Sequence, residues 1–139
     1  MDSTCTKYNE RRCKMKFKTM MVIKAIVCLA LGVPILLLPN FTYSIFGVTL
    51  GAGGVVAAQE YGASLIGALM ITWFARKTQP SETRRAIALG YCVYDAIGVV
   101  VCLIATLTGV MNVLGWAVVL LYLFFTLGFG YFTVKASSQ

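Results

Sequence analysis

AIALGYCVYDAIGVVVCLIATLT, residues Ala86–Thr108, is the stretch whose reading decides the fold. Its only charged side chain is Asp95, and the rest are apolar, small or hydroxyl-bearing. A helix needs roughly 20 such residues to cross about 30 Å of hydrocarbon. A membrane strand would need only about 10, with strictly alternating polarity, and no such alternation is present. The stretch reads as a membrane-spanning helix.

Three further runs have the same character, at Met20–Pro39, Gly54–Ala75 and Asn112–Val134. They are joined by a Gly- and aromatic-rich connector (40–53), a basic connector (76–85) and a tight turn at Gly109-Val110-Met111. Of the 139 residues 59% are hydrophobic and 12% charged, and the mean hydropathy is +0.82. Soluble domains carry about 25% charged residues, so this chain lacks the polar surface to stay in water. It is also too apolar to remain disordered. The expected fold class is all-α: a polytopic membrane protein with four transmembrane helices in an antiparallel bundle. A basic tail (1–19) precedes a single transmembrane domain (20–139).

Charge sets the expected orientation. Lys7, Arg11, Arg12, Lys14, Lys16, Lys18 and Lys24 precede or enter the first span. Arg76, Lys77, Arg84 and Arg85 lie between spans two and three, and Lys135 follows span four. The other two loops have no Lys or Arg, so the positive-inside rule puts both termini in the cytoplasm. An even number of spans requires the same. The expected location is the plasma (inner) membrane. The first span is longer than a signal-peptide core and lacks an A-x-A-like site, so it reads as a retained anchor. Residues 1–14 read as an extension ahead of a start that Met15 could equally supply.

Composition removes several function classes. With no histidine in the chain, His-ligated haem, most zinc and copper sites, and imidazole proton relays are excluded. Cys5, Cys13, Cys28, Cys92 and Cys102 form no C-x-x-C pair and read as small apolar residues. Gly51-Ala-Gly-Gly follows no strand and is no phosphate loop. No catalytic residue, metal or cofactor is expected, and the chain is not read as an enzyme; bound lipid or pigment is left open. The net charge of +7 flanks membrane spans rather than covering a soluble domain, which argues against nucleic acid. Arg76, Lys77, Arg84 and Arg85 are instead expected to touch anionic lipid headgroups.

Three carboxylate or amine groups fall inside the spans. Lys24 lies about a turn inside the first span, close enough to snorkel to water. Glu60 and Asp95 are costly in lipid, about 2.5–3.5 kcal/mol for an ionised group at mid-span, and are expected to face inward. On span two Gly53, Ala57, Glu60, Ser64 and Gly67 share a face; on span three Ala88, Tyr91, Cys92, Asp95 and Gly98 do; on span four Gly115, Tyr122, Thr126 and Gly130 do. Small residues let helices approach and hydroxyls bond between them, so spans two, three and four are expected to pack through these stripes. Ala57, Gly67, Gly98 and Gly115 are the packing candidates. Asp95, Glu60, Tyr91, Tyr122, Ser64 and Thr126 are the candidate polar or coupling residues, with Tyr91, Tyr122 or Thr126 as partner to Asp95.

Gln59-Glu-Tyr-Gly-Ala-Ser-Leu-Ile-Gly-Ala-Leu, following a Phe46-Gly47 loop, resembles small four-helix prokaryotic membrane proteins of unassigned function. The resemblance implies a fold type and transfers no functional residue. Two readings follow from the residues. The favoured one is a non-catalytic accessory or scaffold subunit of a larger membrane complex, with other membrane subunits or further copies as partners. The alternative is a small oligomeric transporter in which Asp95 and Glu60 couple protons or cations to substrate.

Overall fold

The computed structural model describes residues 3–79 and 81–135, with side chains for 17–79 and 81–134. Five helices follow one another, and no strand occurs among the described residues: α1 (Ser3–Leu37), α2 (Pro39–Ile45), α3 (Ala52–Ala75), α4 (Glu82–Leu107) and α5 (Gly115–Lys135). Four of them contain segments long and apolar enough to cross a membrane: Phe17–Leu37, Ala52–Ala75, Glu82–Leu107 and Gly115–Val134. The backbone from Ser3 onward belongs to α1. The side chains of Lys7, Arg11, Arg12, Lys14, Lys16 and Lys135 lie outside the described residues.

Local chemistry explains the boundaries. Pro34 sits in the last turn of α1, where the hydrogen bond it cannot donate interrupts only the helix end, and Leu38, kept out of the helical region by the following Pro39, breaks the helix. Pro39 then opens α2 with a backbone angle already set for a helix. This short helix was unforeseen in the 40–53 connector. Ser81 caps α4 by accepting a hydrogen bond from the Arg84 N–H at 3.4 Å, and Glu82 complements the dipole of the first turn. That moves the start of the third span four residues ahead of Ala86. Gly109, at φ 76°, provides the left-handed residue that ends α4.

The turn into α5 is longer than the expected three residues because Asn112 holds it. The Asn112 side chain accepts from the Leu114 N–H at 2.9 Å and donates to the Ile45 carbonyl at 2.8 Å, and its backbone N–H donates to the Phe46 carbonyl at 2.8 Å. The α4–α5 turn is thereby tied to α2.

The helices pack chiefly as two pairs, α1 on α3 and α4 on α5. In the first pair a Cβ on Gly62 would stand 2.7 Å from the Leu36 nitrogen and 3.0 Å from the Gly32 carbonyl oxygen, so two backbones touch there. In the second, the Tyr122 ring lies where a Cβ on Gly98 would be, and Thr106 and Met111 crowd Gly115. Gly98 and Gly115 thus sit at the contact between α4 and α5. At one end of the molecule the pairs share a core of Phe17, Met21, Ala75, Tyr91, Phe125 and Phe129.

Candidate functional site

Asp95 on α4 is fully buried, as a mid-span acid should be. Its partner is none of the three hydroxyl residues expected. Lys24 on α1 donates to Asp95 Oδ1, and both side chains are removed from the surface. The expectation that Lys24 snorkels to water is overturned: the residue is 3% exposed. A buried charge without a counter-charge costs several kcal/mol, and Asp95 is the acid this ammonium reaches. The pair connects α1 to α4 and hence one helix pair to the other.

Aromatic rings enclose the ammonium. Lys24 Nζ lies 4.4 Å from the Phe125 ring centroid, 5.5 Å from Tyr94, 5.7 Å from Tyr91 and 5.9 Å from Tyr122. Ring faces carry partial negative charge and attract a cation within about 6 Å, so the cage replaces part of the lost hydration. The hydroxyls of Tyr61 (α3) and Tyr122 (α5) bond to each other beside it. The Tyr91 hydroxyl donates to the Ala68 carbonyl on α3 at 3.0 Å, and the Thr126 hydroxyl donates to the Tyr122 carbonyl at 2.8 Å. All three expected partners of Asp95 are therefore engaged elsewhere, and Asp95 Oδ2 has no hydrogen-bond partner among the described residues.

Glu60 does not join this centre. It is exposed on α3, as are Ala57, Ser64 and Gly67, and the Ser64 hydroxyl donates to the Glu60 carbonyl at 2.9 Å. The expected inward stripe of α3 is its outward face. The face packed on α1 carries Ala58, Gly62 and Leu65. Both faces carry small residues, but only the backbone approach at Gly62 seats α3 on α1. Sequence reading therefore chose the wrong face. Between α3 and α4 runs an apolar groove of about 450 Å³ to which Ser64, Gly67, Ile71, Ile87, Gly90 and Tyr94 contribute.

The basic residues divide as well. Lys77 and Arg85 are exposed and Arg76 is half-buried, its guanidinium 3.4 Å from the Trp73 ring centroid. Arg84 does not fit the expected role of headgroup contact. It is buried, 3.9 Å from the Phe17 ring centroid and 5.8 Å from that of Phe132, and so joins α4 to α1 and α5.

Sequence reasoning missed Lys24, Tyr61, Tyr94, Phe125 and Gly62. The signal for Lys24 was present, because one basic and one acidic residue inside two apolar spans cancel each other's charge only by meeting. Among the described residues no three of Cys, Asp and Glu come together as a metal site, and Cys28, Cys92 and Cys102 are free thiols. No protein family, no curated protein and no solved structure matches this chain.

Proposed function

We propose that the protein is a non-catalytic integral membrane protein, an accessory or scaffold subunit that assembles with other membrane-spanning helices. In this reading α1, α3, α4 and α5 cross the plasma (inner) membrane as an antiparallel bundle. Both termini then lie in the cytoplasm, where Lys77 and Arg85 touch anionic headgroups. The observation that carries the reading is the outward position of Glu60, on a face of small residues in an apolar helix. A carboxylate directed at lipid is costly, and small residues favour close helix approach; a further protein helix over this face satisfies both. The test is native mass spectrometry after gentle extraction from the protein's own membrane. Other subunits in fixed stoichiometry support the reading, and a lone monomer or a homo-oligomer defeats it.

A second reading, the proton- or cation-coupled transporter, draws on the buried Lys24–Asp95 pair. Intramembrane ion pairs mark ion pathways in transporters. Against it, Glu60 and Asp95 lie on different sides of the helix packing, so they do not share a path. The discriminating variant is the neutral double exchange Lys24→Gln/Asp95→Asn. An accessory subunit keeps its partners in that variant, whereas a coupled transporter loses flux.

A further inference from the structure

Glu60 lies eight residues into α3, about 12 Å along the helix from its start at 1.5 Å per residue. Among the described residues no cation reaches it. One turn further on, Ser64 and Gly67 carry the same face into the α3–α4 groove. A Cβ placed on Gly67 or Gly90 would meet nothing within 4 Å, in contrast to Gly62 and Gly98. The space is therefore not used by the chain's own packing. A membrane offers such a space an apolar lipid or pigment molecule, a second copy, or a helix of a different protein.

Charge separates them. An apolar lipid or pigment molecule brings nothing to pair with Glu60. A second copy in the same orientation brings no cation to that depth: Arg76 and Lys77 follow the far end of α3, Arg84 lies by Phe17, and Lys24 is already held by Asp95. Building on the accessory-subunit reading, we infer that the α3–α4 groove, together with the Glu60 face, is the docking site for a membrane-spanning helix of a different protein. That helix carries a Lys or Arg at the depth of Glu60, in the half of its span remote from the basic loops. Its small or apolar residues lie along Gly67 and Gly90, and its cation meets the Glu60 carboxylate. A pair closed off from water in this way is held by charge and hydrogen bonding together.

The test uses the full chain in its own membrane, with a photo-crosslinking amino acid at Ile71, at Ile87 or, as a remote control, at the exposed Leu120 of α5. The expected product is one membrane-spanning chain with a basic residue inside its span, captured from Ile71 and Ile87 but not from Leu120. Capture should fall about tenfold or more in Glu60→Gln and in the groove-filling pair Gly67→Leu/Gly90→Leu. The unfolding temperature should fall in neither variant, and the two helical Gly→Leu exchanges should raise it. Glu60→Lys combined with the partner's basic residue changed to Glu should restore capture. Crosslinks only to lipid or pigment, or only to a second copy, overturn the inference, as does a captured chain without a basic residue in its span or one indifferent to Glu60→Gln. Subunits that co-purify stoichiometrically yet crosslink elsewhere overturn this site and leave the accessory reading standing. A chain that purifies alone removes both.

Discussion

Lys24 on α1 and Asp95 on α4, 71 residues apart in sequence, form an ion pair whose side chains are 4% and 0% exposed. Removing one partner strands the other charge in a low-dielectric interior, at a cost of about 3–5 kcal/mol. Asp95→Asn and Lys24→Met should each lower the unfolding transition in detergent by that amount. The double exchange Lys24→Met/Asp95→Leu, which removes both charges, should recover most of the loss. A double-mutant cycle on thermal unfolding measures the coupling, and additive single effects would show that the pair contributes nothing.

The glycines of α3 differ in a way that unfolding experiments can read. Gly62→Ala drives a Cβ against the backbone of α1, atoms that cannot move aside, and should cost about 1–3 kcal/mol. Gly67→Ala meets empty space and, on a helix, gains propensity of about 1 kcal/mol. Equal effects at the two positions would contradict the packing of α3 on α1.

Arg84 should behave as a packing residue rather than a surface charge. Losing its contacts with Phe17 and Phe132 should cost about 0.5–2 kcal/mol in Arg84→Ala. Lys77→Ala, two residues beyond the end of α3 and exposed, should stay within about 0.5 kcal/mol of the parent. Binding of added anionic lipid to the detergent-solubilised protein should show the reverse ranking, weakened more by loss of Lys77.

Asn112→Ala removes two side-chain hydrogen bonds that join the α4–α5 turn to α2 and shape the turn itself. Each such bond contributes about 0.5–1.5 kcal/mol net. Hydrogen exchange should quicken across residues 39–47 and 112–115 while the middle of α4 keeps its protection. Unchanged exchange in α2 would mean that the Ile45 contact does not hold it.

Much of the architecture was legible in the chain alone. The spans are local: about 20 apolar residues in a row suffice, so all four were found and only their ends moved. The ends moved where single side chains act, at the Ser81 cap, at Pro39 and at Asn112. Asp95 was legible as buried because an ionised group at mid-span has no cheap place in lipid.

What only the tertiary structure decided is which residues meet. Lys24 lay close enough to the end of its span for snorkelling to explain it, and nothing local separates that from pairing across 71 residues. On α3 two faces both carry small residues at helical spacing. The choice between them rests on the backbone contact at Gly62, a property of two helices and not of one. Hydrophobic run length belongs to a single segment and is written in it. Partner and facing belong to the packed set, because each helix's cheapest face depends on what its neighbours present.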